Sequence, residues 1–164
     1  MSEFEAESRS EDKSVVFLKA EDVMVTEVLT LDEEMSVKEA ADIMAKEGFS
    51  YAIITKKGTA VGIMTERDIL KRIVAEDKNS KKTKVKDIMS SPLVQIERGT
   101  DLEKASRLMF KKQIKSLPVV ENNQLVGLVN LTDIFRVQPE IIKVLKQSMA
   151  PPKNIKKILD RYIV

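Results

Sequence analysis

Shifted by 65 residues, the chain aligns with itself without a gap. Asp22-Val23-Met24 falls on Asp87-Ile88-Met89, Ala40 on Ala105, Met44 on Met109, Val61-Gly62 on Val126-Gly127 and Asp68-Ile69 on Asp133-Ile134. Nine of the 48 positions from 22 to 69 match their partners, and apolar positions keep their places through most of the rest. So long a period lies outside the common solenoid repeats, and two copies do not make an array. The repeat predicts two copies of one supersecondary unit, paired about a pseudo-twofold axis.

Two zeros in the composition narrow the chemistry. The chain has no cysteine, which rules out disulfides and thiolate metal sites. It has no histidine either, which removes the commonest general base and metal ligand, and with them Ser-His-Asp triads and zincin motifs. Carboxylate or lysine chemistry stays formally open, but there is no nucleophile–base pair, metal cluster or phosphate loop. The expectation is a protein without catalysis, metal or tightly held cofactor. A net charge of +2 argues against strong general affinity for nucleic acid. No apolar run approaches the ~20 residues that span a bilayer. The acidic N-terminus (Glu3, Glu5, Glu7, Glu11, Asp12) is the opposite of a targeting signal. A cytoplasmic protein with no membrane contact is expected.

Along the chain, residues 1–14 read as a flexible acidic tail, 15–75 as the first repeat, 76–86 as a lysine-bearing polar linker, 87–136 as the second repeat and 137–164 as basic C-terminal helices. Val15 to Leu18 is a short apolar run suited to an edge strand or to plugging the core. Each repeat begins with an extended piece, Val28 to Leu31 or Leu93 to Ile96. A helix follows, opened in the first copy by the capping box Ser36…Glu39. Two strands around a turn come next: Lys56-Lys57-Gly58-Thr59 in one copy and Glu121-Asn122-Asn123-Gln124 in the other. A second helix starts near Thr65 (Ile69, Leu70, Ile73 and Val74 inward), and its counterpart near Asn130. The unit reads strand, helix, strand, strand, helix, an α+β class. Pro139 starts a further helix (Ile141, Ile142, Leu145), Pro151-Pro152 stops it, and Ile155 to Tyr162 forms another. The eight methionines read as core filler.

The informative segment ends each repeat: Gly62-Ile63-Met64-Thr65-Glu66-Arg67-Asp68-Ile69 and Gly127-Leu128-Val129-Asn130-Leu131-Thr132-Asp133-Ile134. A carboxylate at a strand-to-helix turn can accept a pair of hydrogen bonds from vicinal hydroxyls, as ribose presents. Thr65 adds a hydroxyl, and Arg67 a fork for phosphate. The same spacing also makes a capping box that binds nothing. Its recurrence at the same point of both repeats favours a binding role.

With the Asp-Val-Met opening, the Leu117-Pro118-Val119-Val120 strand and these endings, residues 20 to about 136 resemble a pair of CBS domains, the Bateman module. The resemblance implies two β-α-β-β-α units packed sheet to sheet, with clefts for adenosine nucleotides. AMP is the first expectation, with ADP, ATP or S-adenosylmethionine as alternatives. It assigns Asp68 and Asp133 to ribose and Thr65 to phosphate. Asn130 stands where Thr or Ser is expected, with Thr132 two residues on, so the first copy is expected to hold the better site. The stretches Phe49-Ser50-Tyr51-Ala52 and Ile114-Lys115-Ser116 with Pro118 would hold adenine, Leu29 and Val94 the opposite walls, and Lys115 a phosphate. Ile53 replaces the proline in the first copy. The implied function is a regulatory sensor that signals to a separate, unknown protein through rearrangement of a homodimer. Ile69, Ile73, Ile134, Phe135, Ile141 and Leu145 are the apolar positions offered for dimer contact. Two alternatives stay open: a ligand-free assembly protein, and a nucleic-acid-associated regulator using the basic C-terminus.

Overall fold

The computed structural model describes residues 17–148, so the expected acidic tail and the Ile155–Tyr162 helix lie outside the described residues. The 65-residue offset holds element by element. The first repeat has a helical turn α1 (Ala20–Val23), β1 (Thr30–Asp32), α2 (Val37–Glu47), β2 (Tyr51–Lys56), β3 (Thr59–Thr65) and α3 (Glu66–Ile69). α3 runs on into a wider π-type turn, Leu70–Val74. The second repeat has a 3-10 turn (Val85–Asp87), β4 (Ile96–Glu97), α4 (Leu102–Lys112), β5 (Ser116–Glu121), β6 (Gln124–Asn130) and α5 (Leu131–Val137). α6 (Glu140–Ser148) follows. The α+β class and the repeat architecture are as the sequence implies. The strands β1 and β4 are shorter, and begin later, than the extended pieces expected.

Each repeat makes a three-stranded sheet, with the first strand parallel and the last antiparallel to the middle one. The hairpins close on pairs of residues with positive φ: Lys57 (49°) and Gly58 (81°), then Asn122 (50°) and Asn123 (60°). Such turns match the twist of the strands they join, and Gly and Asn accept that backbone at least cost. α2 begins on its capping box, with Ser36 and Glu39 bonded reciprocally, and ends on Gly48 at φ 76°.

The openings of the two repeats are exchanged. Ala20 and Met24 pack in the second core, against residues such as Leu102, Met109 and Leu131. Val85, Ile88 and Met89 pack in the first, with Val37, Met44 and Ile54. Isolated bridges mark both crossings: Val25 with Leu128, Ser90 with Ile63, Lys19 with Asp101 and Lys84 with Ser36. Gly62 and Gly127 let the crossing chain approach. A Cβ on Gly62 would lie 2.6 Å from Met89 Sδ and 2.9 Å from the Ser90 oxygen. A Cβ on Gly127 would lie 2.7 Å from Met24 Sδ and 2.8 Å from the Val25 oxygen. The identical Met and Gly positions of the repeat are thus the two halves of one contact, made twice.

α6 lays Ile141, Ile142 and Leu145 over the second core, against α4 and α5. This corrects two expectations. Ile73, Ile134, Phe135, Ile141 and Leu145 are buried within the chain and offer nothing to a dimer. Leu70 and Val74, expected inward, are 59% and 64% exposed. The reason is an asymmetry of cover: Phe135, the counterpart of Leu70, lies in the core that α6 closes, and nothing equivalent lies over the first repeat among the described residues. Phe17 is also exposed, whereas Leu18 packs on the second core.

Candidate functional site

A cleft of about 680 Å³ opens where the two strand-to-helix turns meet, and both repeats line it. That volume suits a ligand of nucleotide size. Two backbone bonds hold its rim in matched fashion. Glu66 N–H donates to the Ser50 carbonyl at 3.0 Å, and Leu131 N–H to the Lys115 carbonyl at 2.8 Å. Ser50 and Lys115 are thereby fixed beside the starts of α3 and α5.

From the first repeat the cleft takes Ser50, Tyr51, Thr65, Arg67 and Asp68 of the expected residues; from the second it takes Val94, Ile114, Lys115, Ser116, Pro118, Asn130 and Thr132. Four expected residues are not part of its lining. Leu29 packs on the first core, and Ala52, fully buried, belongs to that core. Alternation along β2 turns Ala52 inward when Tyr51 faces the cleft. Phe49 sets its ring edge-on to Tyr51, with centroids 6.4 Å apart. Asp133 accepts a hydrogen bond from Asn130, which lines the cleft in its place. Ile63, Glu66, Ser90, Pro92, Leu93 and Gln113 line the cleft without having been expected. Ser90 to Leu93 follow the second Asp-Ile-Met, the repeat position just ahead of Val94, and that signal was present in the sequence.

The two endings differ in their bonding. Asp68 Oδ2 accepts from Thr65 N–H and from Thr65 Oγ1, both at 2.9 Å. Asp68 N–H donates to Thr65 Oγ1 at 3.3 Å. The capping box is therefore formed, and it engages one carboxylate oxygen. The other, Oδ1, faces the Arg72 guanidinium at 3.6 Å. Asn130 makes no such cap. Its Oδ1 accepts from Ser116 Oγ at 2.7 Å, and its Nδ2 donates to Asp133 Oδ2 at 3.3 Å. Asp133 Oδ1 accepts from Arg136 at 3.2 Å. An amide has both a donor and an acceptor, so Asn links two neighbours where Thr folds back on the helix.

Tyr51 crosses between the repeats. Burial holds its phenol above the ordinary 10.0, a hydrogen bond with Asn130 opposes the rise, and the Asp133 charge adds to it. Arg67 and Lys115 are exposed cations on the same cleft, accompanied by Glu66. Chemically the cleft offers a partly buried carboxylate, hydroxyl and amide groups, apolar walls at Ile114, Leu93 and Val94, and two cations at its mouth. Among the described residues no group of three or more acidic side chains could hold a metal ion, and no helix is long and apolar enough to cross a membrane.

Comparison with known proteins matches residues 20–75 and 85–140 each to the CBS domain. CBS domain-containing protein YhcV of Bacillus subtilis is 36% identical over 113 residues, covering 69% of this chain and 80% of YhcV. An uncharacterised protein of Methanopyrus kandleri is 33% identical over 125 residues, 75% of this chain; the match spans 64% of that relative's length. Among solved structures, the CBS domain pair of MJ0100, in complex with 5′-methylthioadenosine and S-adenosyl-L-methionine, superposes with a TM-score of 0.67 at 26% identity. That superposition covers 76% of this chain and 98% of the pair.

Proposed function

This chain belongs to the CBS-domain family, and from that premise we propose that it is a regulatory module that binds an adenosine-containing ligand and performs no chemistry of its own. One observation carries the reading: both repeat endings open onto one cleft, which holds the Asp68 carboxylate and the cations Arg67 and Lys115 together. Asp68 Oδ1 would accept the ribose hydroxyls. Arg67 and Lys115, which come from different repeats, would share the phosphate. The adenine would lie against Ile114, Leu93 and Val94. The bound adenosyl compounds of the MJ0100 pair support this ligand class, and AMP is the first candidate within it. A regulatory signal then requires two arrangements of the repeats with different affinity for the ligand. The output would go to a separate protein, through a homodimer in the cytoplasm.

Thermal unfolding with adenosine, AMP, ADP, ATP and S-adenosylmethionine tests this. A ligand at a hundredfold its Kd stabilises the folded state by about 2.7 kcal/mol, which raises Tm by roughly 5–11 °C in a protein of this size. AMP is expected to bind more tightly than adenosine. Arg67→Met and Lys115→Met should each weaken AMP roughly two- to fivefold, the scale of an exposed ion pair, and leave adenosine unchanged. If no member of the panel shifts Tm, the capping role of Asp68 is its whole role, and the assembly-protein reading takes over.

A further inference from the structure

One side chain ties the cleft to the exchanged opening, and the second repeat has no counterpart to it. Arg72 lies one helical turn beyond Asp68. Its Nη1 donates to the carbonyl of Ile88 and, at 3.1 Å, to that of Met89. Its Nη2 stands 3.6 Å from Asp68 Oδ1, close enough for charge attraction but too far for a hydrogen bond. The two carbonyls follow directly on the 3-10 turn Val85–Asp87, Ile88 being its C-cap, where backbone acceptors lack partners within the turn. From there the chain enters the crossing: Ile88 is buried in the first core, Met89 lies on Gly62, and Ser90 pairs with Ile63. It then becomes the cleft wall at Ser90, Pro92, Leu93 and Val94. A planar fork of fixed donors can serve two carbonyls and a carboxylate at once, which a lysine cannot. Displacing Arg72 by 65 residues gives Val137, and Asp133 is served instead by Arg136, whose side chain is 71% exposed.

We propose that Arg72 is a positioning residue that makes the cleft wall at residues 90–94 answer to the Asp68 carboxylate. A ligand that takes up Asp68 Oδ1 changes what holds the guanidinium, and the guanidinium holds the start of the wall. The ligand-driven half rests on the binding role given to Asp68 above; the link from Asp68 through Arg72 to Ile88 and Met89 does not.

The test is hydrogen exchange by mass spectrometry on the full chain, comparing wild type, Arg72→Met, Asp68→Asn and the double variant. Asn at 68 keeps one oxygen to accept from Thr65 and puts a neutral NH2 where the charged oxygen faced Arg72. Each single change should raise exchange several-fold in peptides covering 85–94, and the double should exceed Arg72→Met by little. Peptides from β5 and β6 should stay as in wild type, which verifies the fold; Arg72→Lys, expected to be intermediate, replaces Arg72→Met if the latter unfolds. With AMP present, wild type should change its protection over 85–94, while a variant at 72 binds AMP without that change. If Asp68→Asn leaves 85–94 as it was while Arg72→Met loosens it, Arg72 is a structural tie only and the proposal is wrong. Independent, multiplying effects of the two changes overturn it equally. Failure of wild type to bind AMP would sink the ligand reading, while the four-variant comparison without ligand still decides the role of Arg72.

Discussion

Gly62→Ala puts the exchanged architecture to a test in which the sign of the effect decides. Gly62 lies within β3, and its backbone is not left-handed, so alanine can adopt it. In an isolated strand the change would stabilise by about 0.5–1 kcal/mol, because glycine loses more freedom on folding. Here the new Cβ meets Met89 Sδ at 2.6 Å and the Ser90 oxygen at 2.9 Å. The methionine end can swing aside. The carbonyl cannot do so freely, because Ile63 N–H donates to it at 3.0 Å and Ser90 N–H returns a bond to Ile63 at 2.8 Å. Overpacking of this kind costs about 1–3 kcal/mol. Subtracting the gain leaves a net loss of roughly 0–2.5 kcal/mol, centred on about 1.3 kcal/mol, or about 3–5 °C in Tm at 2–4 °C per kcal/mol. Gly127→Ala, facing Met24 Sδ at 2.7 Å and the Val25 oxygen at 2.8 Å, should lose a similar amount. Gly99→Ala, with nothing within 4 Å and no positive φ, is the control and should be neutral or slightly stabilising. Because Ser90 begins the cleft wall, Gly62→Ala should also weaken AMP. Thermal and urea unfolding of the three variants measure the effect. If Gly62→Ala and Gly127→Ala are as stable as wild type, or more so, the crossing chains do not approach as described.

Two further expectations follow from surface groups. Glu34 accepts from Lys84 and Lys86, and those bonds lower its pKa from 4.5 to about 2. A depressed folded-state value means that its contribution is complete above about pH 4.5 and fades as the pH falls toward 2. Carboxyl NMR should find the low value in wild type, and Glu34→Gln should flatten the acid limb of stability; an ordinary titration near 4.5 would refute the Lys84–Glu34–Lys86 bridge. Leu70 and Val74 form an exposed apolar pair one helical turn apart on the first repeat, so Leu70→Glu with Val74→Glu should turn a dimer into a monomer by light scattering. A wild-type mass of 18.5 kDa at high micromolar concentration would refute the dimer itself, and a dimer untouched by the double change would refute this face.

Much of the fold was legible because its signals are local. The period placed both copies, Ser36 and Glu39 marked the start of α2, and Gly58 with Asn122 and Asn123 marked turns that need positive φ. The endings could be located too: Thr65, Arg67, Asp68, Lys115 and Asn130 line a common cleft, although the resemblance implied a separate cleft for each repeat. Other features came only with the packed chain. The identity of Met24 with Met89 and of Gly62 with Gly127 was visible, yet nothing in the sequence says that each Met sits on the other repeat's Gly. Leu70 and Phe135 stand at the same repeat position and are both apolar, yet Phe135 lies in the core that α6 closes and Leu70 is exposed. The sequence told the two endings apart by Thr65 against Asn130, but that Arg72 faces Asp68 while Arg136 faces Asp133 came only with the structure. Periodicity and capping record which side of an element seeks a partner, because those preferences act within a few residues. Which element supplies that partner depends on contacts between residues far apart in the chain, and only the three-dimensional packing decides them.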